Sequence, residues 1–392
     1  MGVRNTDWGA LRALWGVAVL GLAALTAARA GETPIQELIG MVRSGIQHHT
    51  PDKSLAKSIH KLILSQRLNV RVIEELESEG AGPEAVAALD DLRDMSAKKP
   101  EPTALPPFQS PARPSVEEQK QFFRLINVNA MHYTAGLPDF ICTQIVRRYQ
   151  LTPIVPPGTD RRRGQPAAPI IGAGFWILQD TLTVKLSYFA NREKYELTLV
   201  NGKKTKETYE SSGGAISEGD FGSTLLEIFD PASSTKFQWD HWTHLRKRVT
   251  QVYAYRTSRD RSHYKIGVDV GSGQRRTVVA GRRGFIYADN ATHMVMRIVG
   301  EAAEIPPGFP VNAQSSILDY DYANIGGQPF LLPLRADERM KTARLQFKNV
   351  VEFHDYRKFT GESTISFDVP EPAPDATPPP EKKPPQKGAP DT

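Results

Sequence analysis

The chain has 392 residues, 40% hydrophobic and 24% charged, enough for one core of about 200–250 residues with appendages. Its 49 basic and 44 acidic residues leave a net charge of +5, scattered rather than gathered into the stripe that a nucleic-acid binder presents. Cys142 is the single cysteine, which excludes an intramolecular disulfide and a cysteine-based zinc site and reads as a small buried hydrophobe.

Residues 1–30 read as a secretory signal. Arg4 and Arg12 form the positive end, an uncharged run of 16 residues follows from Ala13 to Ala28, and Ala28-Arg29-Ala30 offers small residues for cleavage. That run falls short of the roughly 20 apolar residues a membrane span needs. The reading places the protein in the periplasm or outside a bacterial cell, with no integral membrane span once the signal is removed. Retention of the signal as an anchor is the alternative.

Residues 31–96 are helical in character. Asp52 or Ser54 can start a helix, and Leu55, Ile59, Leu62 and Ile63 recur at helical spacing. Val72, Ile73 and Leu76 continue the pattern until Gly80-Ala81-Gly82-Pro83 breaks it, and Pro83 suits the first turn of the next helix. The spacing predicts two or three short helices packed as a small hairpin, and His48-His49 as solvated loop residues. Residues 97–114 hold six prolines in eighteen residues and read as a Pro-rich linker. Ser115 and Glu118 then form a capping box that opens a helix with Phe122, Ile126, Ala130 and Tyr133 on one stripe.

From Phe140 onward the period becomes two. Leu182, Val184, Leu186 and Tyr188 alternate with polar residues, as do Tyr195, Leu197 and Leu199, with Asn201-Gly202 as a turn. Residues 217–229 fit a short helix with Phe221, Leu225 and Ile228 inward. Val249, Tyr253 and Tyr255 mark another strand, and Val278 with Ala280 a further one. Residues 284–298 (GFIYADNATHMVMRI) read as strand, tight turn, strand. Gly326-Gly327 joins two more strands, and Ala343 to Tyr356 is the clearest long strand. In that strand Ala343, Leu345, Phe347, Val351 and Phe353 face one way, while Arg344, Gln346, Lys348, Glu352 and His354 face the other. Clean alternation predicts an antiparallel sheet with one face buried and one wet. Ile365 and Phe367 suggest a last strand, and residues 369–392, with nine prolines, a disordered tail. The fold class is mainly β (α+β): an open antiparallel half-barrel covered by helices, preceded by a small helical segment.

Four segments together resemble a group of uncharacterised exported bacterial proteins: residues 137–149 (LPDFICTQIVRRY), 284–298, 317–333 (ILDYDYANIGGQPFLLP) and 348–367 (KNVVEFHDYRKFTGESTISF). More distantly, a helix, a long meander and a D-x-x-T hairpin resemble the periplasmic lipoprotein carriers of the LolA/LolB type. The resemblance covers roughly residues 115–368. It implies a half-barrel whose concave apolar face is covered by helices and, in such carriers, holds acyl chains.

No chemistry is legible in the motifs. In Asp240-His241-Trp242-Thr243-His244 the two histidines of a strand point to opposite faces, against a shared metal. Asp269-Val270-Gly271-Ser272-Gly273 leads straight into strand, so it reads as a hairpin turn rather than a phosphate loop. Asn290-Ala291-Thr292 reads as turn residues rather than a glycosylated sequon. Arg161-Arg162-Arg163 and Arg246-Lys247-Arg248 read as solvated loops and strand ends. No G-x-S-x-G elbow and no H-E-x-x-H helix is present.

The sequence therefore points to a non-enzymatic binding protein without a cofactor. Its candidate cavity wall is Leu182, Val184, Leu186, Tyr188, Tyr195, Leu197, Leu199, Val249, Tyr253, Tyr255, Phe285, Tyr287, Met294 and Met296. Lipid or lipoprotein is the candidate partner. A cell-envelope interaction or scaffold protein with a filled β core is the alternative, and an enzyme is the third class.

Overall fold

The structure is a computed structural model that describes residues 31–102, 111–153, 159–160, 165–166, 174–190, 192–209, 222–269, 275–343 and 345–359. The signal and tail, the strand at Ile365 and Phe367, Arg161-Arg162-Arg163, Phe221 and Gly271-Ser272-Gly273 lie outside these residues.

Four helices precede the sheet, rather than two or three: α1 (Ile35–Gln47), α2 (Asp52–Ile59), α3 (Val70–Glu79) and α4 (Pro83–Ser96). The spacing ran α2 and α3 together, but the segment between them leaves the helix to lie against Thr33, just ahead of α1. There Thr33 N–H donates to the Ile63 carbonyl at 2.7 Å, and Ser65 N–H to that of Thr33 at 3.0 Å. Leu38, Val42, Ile59, Leu76 and Leu89 bury themselves in a cluster of the helices' own. Asp52 begins α2, yet its carboxylate accepts from the Glu84 and Ala85 N–H groups, at 2.7 and 3.0 Å, and so caps α4. Glycine at position 82 leaves room for the cap, because a Cβ there would lie 2.5–2.7 Å from that carboxylate and push it aside.

The capping box forms as the sequence predicts and opens α5 (Val116–His132). Phe122, Ile126, Ala130 and Tyr133 are all buried. The strands are β1 (Phe140–Pro153), β2 (Thr159–Asp160), β3 (Gln165–Pro166), β4 (Gly174–Phe189), β5 (Arg192–Val200), β6 (Lys203–Lys204), β7 (Lys236–Leu245) and β8 (Arg248–Thr257). Next come β9 (Lys265–Asp269), β10 (Arg275–Val279), β11 (Gly281–Asp289), β12 (Val295–Ala303), β13 (Val311–Ile325), β14 (Gln328–Thr342) and β15 (Gln346–Lys358). A short helix, α6 (Ser223–Phe229), precedes β7 and turns Leu225 and Ile228 inward. Eleven strands form one open antiparallel sheet in the order β6-β5-β4-β1-β15-β14-β13-β12-β11-β8-β7, and β9-β10 and β2-β3 are separate two-stranded ribbons. The fold is thus mainly β, an open antiparallel half-barrel covered by helices.

The register gives each residue a face. On one side Gln144 pairs with Val184 and Phe353, Val146 with Leu182 and Val351, and Ile286 with Tyr253 and Ile298. This side lies under α5: the Phe122 and Tyr253 rings stack at 6.3 Å, and the Tyr253 hydroxyl donates to the Gln119 carbonyl. On the other side His241 pairs with Val252, Val252 with Tyr287, Tyr287 with Arg297, Arg297 with Asp319, and Asp319 with Arg335.

That second face was predicted to be wet, and here the structure corrects the sequence. α3 and α4 lie on it through charges. Glu74 accepts from the Tyr287 hydroxyl at 2.7 Å and faces His241 at 3.0 Å. Glu77 meets Arg297 at 2.9 Å, and Asp91 takes Lys348 at 2.7 Å and Arg339 at 3.0 Å. Lys348 is only 6% exposed. The charges alternate along β15 as for a solvated face, but Lys348 takes its partner, Asp91, from α4.

Candidate functional site

The α5-covered face is built from Leu182, Val184, Leu186 and Tyr188 of β4, Tyr195 and Leu197 of β5, and Tyr253 and Tyr255 of β8. Tyr195 is partly buried, and the other seven are no more than 6% exposed. The face is filled. α5 is held over it by apolar packing and by few polar contacts. Asn129 Nδ2 donates to the Thr292 and His293 carbonyls at 3.1 and 3.2 Å, and the Tyr133 hydroxyl to that of Leu331 at 2.8 Å.

Three of the sequence-derived wall residues lie on the opposite face, Val249 lies at the wall's edge, and Met294 and Met296 lie at the hairpin's bend. A bulge in β5 pairs Thr183 with Leu199 and Leu182 with Val200. Val200 therefore takes the inward place, and Leu199 turns to the opposite face. Val249 shares the face of Tyr253 but sits at the strand's end, 39% exposed. Phe285 and Tyr287 are on the face of the N-terminal helices, because Tyr287 pairs with Val252 rather than with Tyr253. Met296 is buried at the bulge between the Tyr287–Arg297 and Ala288–Val295 pairs, and Met294 is partly buried beside it.

The hairpin's polar residues serve its turn. Asp289 Oδ1 accepts from Ala291 N–H at 2.9 Å, Asp289 pairs with Arg248 at 2.7 Å, and Asn290 Oδ1 accepts from Gln251 at 3.0 Å. Arg246 pairs with Asp319 at 3.0 Å and donates to the Met296 carbonyl at 3.2 Å, so it stitches strands rather than facing solvent. His241 and His244 sit on one strand, and among the described residues no three His, Cys, Asp or Glu side chains are grouped to hold a metal. Cys142 is 1% exposed, and burial raises its thiol pKa well above the ordinary value.

Sequence reasoning passed over Gln144. It is fully buried in β1 between Val184 and Phe353, and neither its Nε2 nor its Oε1 has a hydrogen-bond partner. Each unmet buried polar atom costs about 1–3 kcal/mol. Its only sequence signal is a polar residue at an inward position of a period-two strand. An open groove of about 280 Å³ lies at the rim, between Asp321, Tyr322, Leu332, Phe353, His354 and Tyr356. Beside the groove His354 and Arg147 hold the Glu352 carboxyl down at about 2, His354 through a 3.4 Å contact.

No family model matches the chain, and no curated protein matches it. Among solved structures the chain is similar to a LolA superfamily protein from Nitrosomonas europaea, with 10% identity, a TM-score of 0.28, and coverage of 60% of this chain and 93% of that one. It is similar also to a DUF1329 family protein from Desulfovibrio piger, with 9% identity, a TM-score of 0.28, and coverage of 62% and 94%. At such scores they bear on neither ligand nor site. Among the described residues no helix is long and apolar enough to cross a membrane.

Proposed function

We propose that the chain is an exported protein of the bacterial envelope that binds a lipid or other acyl-bearing ligand on the α5-covered face of its half-barrel, and that it catalyses no reaction. The observation that carries this reading is Gln144. A side chain with two unmet hydrogen-bonding atoms in the middle of an apolar face is out of place in a pure packing core, where leucine would serve better. It is in place where an entering ligand brings a polar group among its methylenes. Entry requires α5 to lift, and the small number of polar contacts along that helix favours such movement.

Native mass spectrometry of the full chain purified gently from its host tests the reading, with uptake of a fluorescent fatty acid as the second arm. A bound lipid mass and saturable uptake are expected. A ligand-free spectrum with no uptake overturns the proposal. Gln144→Leu is expected to raise stability to urea by about 1–2 kcal/mol, because an unmet amide is replaced by a side chain of similar size. It should also weaken uptake. A loss of stability would show that the amide is bonded in the resting protein.

A second reading, an envelope interaction protein with a filled β core, is favoured by the packed state of the same face. Pull-down from envelope extracts with the full chain and with a chain lacking residues 369–392 separates the two, since lipid uptake should survive that deletion and partner capture should not.

A further inference from the structure

We propose that the groove between β14 and β15 is a docking site for the chain's own Pro-rich C-terminal segment, residues 378–387, which occupies it in cis. The groove is a split in the sheet. β14 pairs with β15 from Lys341–Gln346 only as far as Arg335–Glu352. Beyond that point β14 stays with β13 down to Gln328 and β15 stays with β1 up to Lys358, but the two do not pair with each other.

Both strands are built to part. Pro329 and Pro333 of β14 have no N–H to offer a neighbour. In β15 a bulge sets Asp355 and Tyr356 against Cys142 alone, with Asp355 at a φ of 56°. Bulges bend their strand, and they and left-handed backbone gather beside binding sites. Side chains take carbonyls of this stretch of β14. Leu331 accepts from the Tyr133 hydroxyl at 2.8 Å, and Pro333 from that of Tyr356 at 2.6 Å.

The floor of the groove is Leu332 and Phe353, and its walls carry Tyr322, Leu334 and Tyr356. Tyr322 and Leu334 are 38% and 41% exposed. Two carboxylates border this apolar surface: Asp321, which Arg246 reaches at 3.4 Å, and the exposed Asp355. At about 280 Å³ the groove sits just below the usual range of ligand pockets, with room for a few rings rather than a long acyl chain. Aromatic-lined grooves bind polyproline, whose conformation is set before it docks. Residues 378–387 read PPPEKKPPQK, five prolines with three lysines against one glutamate. The rings suit the tyrosines, and the lysines suit the carboxylates. Residues 360–377 carry four acidic residues and no basic one, so charge selects the later segment.

The tether reaches. Eighteen residues separate Phe359 from Pro378, and a coil of that length spans about 20–25 Å. The groove begins roughly four residues back along β15, about 13 Å. Tethering at that range gives an effective concentration on the order of 1 mM. A contact with a dissociation constant of about 0.1 mM is then occupied roughly ten to one.

This docking stands independently of the lipid reading. Calorimetric titration with a synthetic peptide of residues 376–390 tests it, on the full chain and on a chain lacking residues 369–392. The shortened chain is expected to bind the peptide with a dissociation constant of about 0.1 mM, and the full chain about tenfold more weakly, because its own tail holds the groove. In the shortened chain Tyr322→Ala and Asp355→Gly should each weaken binding at least threefold, roughly the worth of one lost surface contact. Both variants should fold, since Tyr322 is exposed and glycine adopts a positive φ without strain. A peptide with its prolines replaced by alanine should not bind. No binding to the shortened chain, or binding that both groove variants leave unchanged, overturns the site. Equal binding to both chains overturns docking in cis. So does a full chain that sediments as a dimer where the shortened one is a monomer, since the tail then reaches a second copy. Should the shortened chain fail to fold, the full chain carrying Lys382→Glu and Lys383→Glu replaces it. That variant should bind added peptide about tenfold more tightly than the unaltered chain, and an unchanged affinity overturns the proposal.

Discussion

At the scale of single residues, the molecule is arranged around charges that find partners far along the chain. Lys348 and Asp91 are 257 residues apart and meet at 2.7 Å. Nothing local marks either one. A lysine on the polar side of an alternating strand reads as solvated until a helix is laid over it, so these side chains were legible as a face but not as an interface. Burial alone would favour protonation of Asp91, but His60, Arg339 and Lys348 around it hold its carboxyl below the ordinary range. His241 shows the same balance with a pH within reach. Burial opposes its charge, and the hydrogen bonds to Asp240 and Glu74 outweigh that and raise its pKa, with Arg71 acting the other way. A raised folded value means that the imidazolium stabilises the fold below the unfolded pKa of about 6.5. That contribution is lost as pH rises through the folded value. Urea unfolding from pH 6 to 9 is expected to show stability falling across that window, and His241→Asn should flatten the fall. An unchanged slope in the variant would assign the pH dependence elsewhere.

At the scale of elements, period and turn chemistry carried most of the fold. The capping box of α5, the Gly326-Gly327 hairpin and the alternation of β4 and β15 were all readable, because each depends on neighbours within a few residues. Positive φ at both glycines, 61° and 88°, is what a two-residue hairpin turn requires. The misread elements fail for equally local reasons. The bulge in β5 has no sequence mark, so Leu199 and Val200 exchanged faces. The two sides of the β11–β12 hairpin were read as one wall, although adjacent strands pair Tyr287 with Val252. Of the candidate site, the inward stripe of β4 was legible and the buried polar atoms were not, since glutamine or arginine in a strand reads as an outward residue. The helices offer a clean test of cross-element capping. Asp52→Ala leaves α2 its remaining first turn but strips two N–H groups of α4 of their acceptor. Stability is expected to fall by about 1 kcal/mol, as for the loss of a helix cap, in thermal or urea denaturation. Loss confined to α2 signals would contradict this assignment.

At the scale of the whole molecule, the half-barrel is held between two unlike covers. α5 lies on one face through apolar side chains. The N-terminal helices lie on the other through Glu74, Glu77 and Asp91. Removing one partner of such a buried pair leaves a charge stranded and costs about 3–5 kcal/mol. Arg297→Ala, which strands Glu77 and leaves Asp319 to Arg246 alone, is therefore expected to loosen the helices before the sheet. Hydrogen exchange should quicken at least tenfold at α3 and α4 amides, with β1 and β15 amides little changed. Uniform quickening would mean that helices and sheet open as one unit. The arrangement also bears on how the protein stays apart from its own copies. An open sheet ends in two unpaired rows of N–H and C=O groups, each a template for another chain. One end is β6, two residues long and both of them lysine, beside which the rest of the β5 edge carries the exposed charges Arg192, Lys194 and Glu196. The other is β7, ten residues long, and α3 lies against it. The N-terminal helices thus guard the long edge, and a chain that has shed them offers β7 for strand addition, the first step towards an ordered aggregate.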